Sequence, residues 1–198
     1  VNGDGLTDFV RRHDNYGNKG SVYTYPGTIP DLLKYFHDKK GGENQFDYLT
    51  SPRYKDASNK LLNPKLPFLL PLVQKIYNND GINFYTTVTS TYEYEAGEFF
   101  YKNPLERKFA GFKIISEKNA TGHLTKSYYH QGNSTEEALG EKDLDSGGPT
   151  DKASKIGKIF RIDQYDKNNN LYKKTFQRWY GTTVNYNTQD FVRLGQKV

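Results

Sequence analysis

The stretch from Thr91 to Gly132 constrains the fold most tightly, because it holds strand-like runs joined by a compact connector, and its first run, Phe84 to Tyr94, alternates with a period of two. Phe84, Val88, Tyr92 and Tyr94 fall on one parity, and Asn83, Thr87, Thr91 and Glu93 on the other. A helix would need apolar residues three and four apart, so this spacing specifies a half-buried strand. Gly97 is expected to break the run, with Glu98 to Lys108 as a connector carrying Tyr101, Asn103 and Pro104. The apolar run from Phe109 to Ile115 is a second strand, and Asn119-Ala120-Thr121-Gly122 closes it as a turn. Leu124 to His130 then returns antiparallel, completing a meander rich in the Tyr, Phe and Thr that favour a pleated surface.

Composition matters where it limits the alternatives. Only 34% of the residues are hydrophobic and the mean hydropathy is −0.90, values that would suggest disorder were it not for 17 Tyr and 12 Phe. Aromatic side chains bury large areas each, so the chain can still assemble a core. With no Cys, disulfides, thiolate metal sites and cysteine nucleophiles are excluded from these residues. The net charge of +5 comes from 28 basic and 23 acidic residues that interleave, as in Glu106-Arg107-Lys108 and Glu141-Lys142-Asp143. No basic stripe forms, and no nucleic-acid partner is expected. No run approaches the about 18 apolar residues of a membrane span, so no membrane insertion by this segment is expected. The chain opens at Val1 without an initiator Met or a signal peptide and is read as a segment of something longer.

Asn2-Gly3-Asp4-Gly5-Leu6-Thr7-Asp8 carries the spacing of a calcium loop of the form Asp-x-Asn-x-Asp-Gly-x-x-Asp. Such a loop wraps the ion with alternate oxygens, while glycine permits the sharp bend. Asn2, Asp4 and Asp8 would ligate through side chains and Leu6 through its carbonyl; the first Asp would precede Val1. Because calcium takes about six to eight oxygens, binding by this incomplete loop is expected to be weak. Asp14 to Asn18 reads as a turn, and Val22 to Tyr25 as a short strand.

In Thr28 to Phe36 the apolar residues Ile29, Leu32, Leu33 and Phe36 have helical spacing, with Thr28 as N-cap and Pro30 in the first turn. Thr50 to Lys65 is polar, contains Pro52 and Pro64, and reads as a long surface loop. Asn79-Asp80-Gly81 is a hairpin turn signal. Gly132 to Ala153 is a second polar loop in which Ser134 to Gly140 has the composition of one capped helical turn. From Gly157, a strand ending at Tyr165-Asp166 turns at Asn169, which accepts left-handed backbone angles. It returns through Phe176, Trp179 and Tyr180, and Asp190 to Leu194 starts a strand whose partner is expected beyond the end of the chain.

The order Tyr92-Glu93-Tyr94, Gly97, Pro104, Glu106-Arg107, Phe109, Gly111-Phe112 and Tyr128-Tyr129-His130-Gln131-Gly132 resembles the middle region of the SpvB and TcdB family, the B component of bacterial insecticidal toxin complexes. The Tyr-Asp hairpin is similar to a YD or Rhs repeat, and the calcium-type loop is similar to those in FG-GAP or VCBS propellers. The resemblance implies an all-β fold of antiparallel hairpins and meanders forming part of a Rhs-type β-shell. Residues 1–28 would end a propeller segment, and 29–198 would be the β-region entering the repeats. Against the helical spacing of Thr28 to Phe36, the resemblance implies a hairpin there, with a Pro30-Asp31-Leu32-Leu33 strand turning at Lys40-Gly41-Gly42 and returning through Gln45 to Tyr48.

The resemblance further implies a secreted or cell-surface bacterial location and a non-catalytic role in enclosing and delivering a toxic effector. Its partners would be neighbouring parts of the same toxin protein, a pore-forming A component and the C component or effector. The alternative is a calcium-stabilised extracellular adhesion or carbohydrate-binding β module, with exposed Tyr and Trp179 as platforms.

Two constellations invite a catalytic interpretation. Asp145-Ser146-Gly147-Gly148-Pro149 matches the nucleophile signature of trypsin-like proteases, but none of His13, His37, His123 or His130 has the sequence context of the catalytic base. Glycines, serine and proline in a charged stretch are ordinary turn formers. Glu93, Glu95 and Glu98 cluster as glycosidase carboxylates do. Glu93 and Glu95, however, lie opposite the aromatic parity and are expected on the solvated side. No enzyme is expected, and the histidines lack metal-binding spacing.

Overall fold

The computed structural model describes residues 4–12, 20–24, 27, 29–82, 87–132, 153–183 and 190–197. Among them there is no α-helix; the chain is all-β and antiparallel. It divides into two compact units, one made of residues 1–61 and 68–89, the other of residues 62–67 and 90–198.

In the first unit, β1 (Phe9–Arg12) and β2 (Gly20–Tyr23) pair as a small hairpin, with Phe9 opposite Tyr23. Strands β3 (Tyr35–His37), β4 (Glu43–Thr50) and β5 (Pro71–Asn79) form an antiparallel sheet. The helical spacing of Thr28 to Phe36 does not produce a helix. Pro30 and Asp31 form a turn in which Asp31 has φ 62°, and the outgoing strand begins only at Tyr35. The hairpin corner is fixed by Asp38, whose Oδ1 accepts the N–H groups of Lys40 and Gly42 at 2.8 Å each. Pro71 sits at the first residue of its strand, where its missing N–H is tolerated.

The turn after β5 holds Gly81 at φ 75°, and a Cβ there would collide with the carbonyl of Gly41. Thr50 to Lys65 is not simply a surface loop. Ser51, Tyr54 and Asn63 are buried, and Ser51 exchanges hydrogen bonds with Leu70 (N–H to O 2.8 Å; Oγ from N–H 3.1 Å).

The second unit grows by successive hairpins. Strands β6 (Thr87–Tyr101), β7 (Arg107–Lys118), β8 (Leu124–Tyr129), β9 (Ile159–Tyr165), β10 (Leu171–Thr183) and β11 (Asp190–Lys197) each pair antiparallel with the next. Turn chemistry is local. Asn103 Oδ1 accepts the N–H groups of Leu105 and Glu106, and Asn119 Oδ1 accepts that of His123. Asp166 Oδ1 accepts those of Asn168 and Asn170, with Asn169 at φ 64°.

Two expectations are corrected in this unit. Gly97 does not break the first strand; it is buried within β6 beside a register shift. Strand β11 has its partner within the chain, since Asp190–Lys197 pairs with Gln177–Thr183 of β10. The expected turn at Asp14 to Asn18, the helical turn at Ser134 to Gly140, the segment around Ser146, and Phe84 lie outside the described residues.

Candidate functional site

At the N-terminal loop, Asp4 Oδ1 accepts the N–H of Leu6 at 2.8 Å, and Gly5 takes φ 91°. This is the sharp bend that a calcium-type loop requires. A Cβ on Gly5 would lie 2.9 Å from Ile29 Cδ1, so glycine is demanded by packing as well as by its backbone angle. Asp8 is half-buried two residues beyond Leu6. Asn2 lies outside the described residues, which contain no group of three or more His, Asp or Glu side chains suited to a metal.

The second unit concentrates charge on one side of its sheet. The register aligns Glu93, Ser116, Lys126, Asp163 and Lys174 in one cross-strand row, and Glu95, Ile114, Tyr128, Arg161 and Phe176 two residues along on the same side. Arg161 grips Asp163 in a fork, with Nε to Oδ1 at 3.0 Å and Nη2 to Oδ2 at 2.7 Å. Its guanidinium lies 4.0 Å from the centre of the Tyr128 ring. Burial works against the charge on Arg161, but the hydrogen bonds to Asp163 together with the pull of Tyr128 and of the Asp163 charge outweigh it, and the guanidinium holds its proton more tightly than usual.

Neighbouring groups respond to the same partly dry surroundings. Burial pushes the Tyr94 hydroxyl up to about 12, helped by Tyr92 and Tyr129. Burial also raises the Glu95 carboxyl, with Lys126 opposing and Glu93 reinforcing the shift. Glu95 is therefore half-buried opposite Ile114, not on a fully solvated side; Glu93 is exposed as expected.

Tyr128 to Gly132 proves to be a packing device. The ring of His130, 0% exposed, lies 5.0 Å from that of Phe160, and Tyr128 lies 6.2 Å from Phe160. Gln131 Nε2 donates to the carbonyls of Ala96 and Gly111 at 2.6 and 3.1 Å. Gly132, at φ 82°, leaves room for Ile156, whose Cδ1 would be 2.8 Å from an added Cβ.

Asn63 performs a similar service. Its Nδ2 donates to Tyr94 O and its Oδ1 accepts the N–H of Gly97, each at 2.8 Å. Sequence inspection did not single out Asn63, Arg161 or Asp163. The only local signal was the i, i+2 spacing of Arg161 and Asp163, which puts opposite charges on one side of a strand.

Trp179 is not an open platform. Its indole N–H donates to Ile159 O at 2.7 Å, and Lys158 Nζ sits 5.1 Å from its ring centre. Residues 1–137 match the family described as the insecticide toxin TcdB middle/N-terminal region. Comparison with curated proteins gives no match.

Proposed function

Since the chain belongs to the insecticide toxin TcdB middle/N-terminal family, we propose that it is a non-catalytic wall segment of the B component of a secreted bacterial toxin complex. In this role it forms part of a β-shell that encloses a toxic effector and delivers it through a pore-forming A component. Residues 1–28 would end a calcium-motif propeller, and the strands from β9 onward would begin the Rhs-type repeats. Asp4, Leu6 and Asp8 would hold calcium in the propeller loop.

The observation that carries this proposal is the character of the second unit's sheet. Among its described residues, the only buried apolar side chains are Ala110, Phe112, Tyr128 and Phe160. A sandwich-forming sheet would alternate a wholly apolar face with a polar one. Here one side carries Glu93, Lys126, Arg161 and Asp163, and the other carries Tyr92, Glu117, Thr125 and Gln164. Neither side is thus the wholly apolar face of a sandwich: Glu93 and Glu117 are exposed on their respective sides, and even the buried positions of the first side include charged and polar groups, Asp163 and Ser116. The engagement of Trp179 by Ile159 and Lys158 weakens the carbohydrate-platform alternative.

Strand β11 is at one margin of the sheet, and an exposed margin is a template for a further strand. Hydrogen exchange tests the wall directly. In the assembled toxin complex, the outward-facing amides of residues 190–197 should exchange far more slowly than in the chain alone. Equal rates in the two states would refute a continuous shell.

A further inference from the structure

The first unit contains a cleft of about 350 Å³ that the wall proposal leaves without a role. Its size falls within the range of small-molecule sites, about 300–1,000 Å³. Its lining is divided by chemistry. Ile29, Leu32, Phe46 and Leu49 are half-buried and supply apolar walls, while Lys34 and Arg53 are exposed cations.

Two carboxylates also line the cleft, and both have partners. Asp4 Oδ1 accepts the N–H of Leu6, and Asp47 Oδ2 accepts the Tyr77 hydroxyl at 2.9 Å. The nearest aromatic polar group is likewise engaged, since the Tyr48 hydroxyl donates to Leu33 O at 2.8 Å. Arg53, by contrast, enters no ion pair among the described residues, and Lys34 has only the face of Tyr35, 5.3 Å away. The donors left for a ligand are thus cationic and exposed, and the walls beneath them are apolar.

We propose that this cleft binds a small organic anion with an apolar body, of the medium-chain carboxylate class. The body would sit against Ile29, Leu32, Phe46 and Leu49, where desolvation favours it. The carboxylate would meet Arg53 and Lys34, which can form charge-assisted hydrogen bonds to it. The proposal is independent of the toxin-wall role, and its failure would leave that role standing.

Titration calorimetry on the full chain with octanoate, octanol and octylamine provides the test. Octanoate should bind saturably, and octylamine should not. Octanol, which keeps the body and loses the charge, should bind at least about tenfold more weakly, as should octanoate to Arg53→Gln. Arg53→Lys should recover part of that loss, and Lys113→Gln, in the other unit, should change nothing. Circular dichroism would confirm that each variant is folded. Absence of octanoate binding at millimolar concentration, equal binding of all three compounds, or an unchanged affinity in a folded Arg53→Gln would each overturn the proposal.

Discussion

Replacing Asn63 by Ala should destabilise the second unit more than its polar, loop-like sequence context suggests. The amide bridges two backbone groups of β6, accepting from Gly97 N–H and donating to Tyr94 O. Asn63 is 6% exposed and Gly97 is buried, so water cannot readily replace the lost acceptor. A buried donor left unsatisfied costs about 1–3 kcal/mol and the second hydrogen bond about 1, giving roughly 2–4 kcal/mol in all. The same amide supports Ala96, which has φ 50° and donates its own N–H to Leu62 O at 2.9 Å. Asn63→Asp separates the two bonds. Its carboxylate still accepts from Gly97 but cannot donate to Tyr94 O. Burial favours the protonated acid, which can donate, so the Asp variant should recover stability as pH falls. Urea unfolding followed by Trp179 fluorescence would measure the loss, and exchange of the Gly97 amide would localise it. A loss for Asn63→Ala below about 0.5 kcal/mol, within the usual range of surface substitutions, would refute the bridge as a stabilising element.

Burial raises the Glu95 carboxyl above its ordinary value of 4.5, so folding favours the neutral acid. Stability should therefore rise as pH falls from neutral through the raised value and level off below about 4.5; Glu95→Gln should remove that rise, as urea midpoints across pH would show. Asp166 has the opposite sign: hydrogen bonds from Asn170 and Asn168 lower its carboxyl, so its contribution is present above its ordinary value of 3.8 and is lost on further acidification. Asp166→Ala should accelerate exchange of the Asn168 and Asn170 amides at neutral pH while leaving the Asn119 turn unchanged. At the N-terminal loop, calorimetry should show calcium binding that Asp8→Ala removes; equal heats for the parent and Asp8→Ala would contradict a role for Asp8 in holding the ion.

Hairpins whose turns are specified locally were legible in the sequence. Asn119 to Gly122 and Asp166 to Asn169 each pair a side-chain acceptor with a residue at positive φ, and both lie within four consecutive residues. Features set by distant packing were not. Gly97 reads as a breaker because glycine is usually one, yet a Cβ there would lie 2.6 Å from Leu66 Cδ1 and 2.9 Å from Phe112 Cε1. The reason for glycine thus lies in partners 31 and 15 positions away in the sequence. The polar stretch after Thr50 misleads for a related reason: Ser51 and Asn63 are polar because they satisfy buried backbone groups. Helical spacing at Ile29 to Phe36 fails because the segment holds a turn with Asp31 at φ 62° and then a three-residue strand whose side chains are all exposed. At the N-terminal loop, the Asp4-Gly5 bend appears where the spacing puts it, while the ligand set depends on Asn2, which lies outside the described residues.

The Arg161–Asp163 pair shows why a charged ladder can persist in so thin a core. A buried ion pair seldom stabilises a fold relative to well-packed apolar residues, because desolvation of both charges offsets their attraction. Breaking it from one side is different, and the two sides are not equivalent. Asp163 lies between Lys126 and Lys174 in its row while also receiving Arg161, so Asp163→Asn leaves three cations around a site that is 1% exposed. That should cost about 3–5 kcal/mol. Arg161→Met leaves Asp163 opposite both lysines and should cost less, about 1–3 kcal/mol. The double change Arg161→Met with Asp163→Leu should approach the parent in stability. What it should lose is register: a one-residue slip of β9 would carry Arg161 and Asp163 together to the other side of the sheet, away from Tyr128, Lys126 and Lys174 on the neighbouring strands, and the charges penalise that slip where apolar residues would not. Urea unfolding supplies the energies, and amide spectra of β9 report register as one set of resonances or several. A double variant as unstable as Asp163→Asn, or one with a single undisturbed set of β9 resonances, would show that the pair does not act by selecting register.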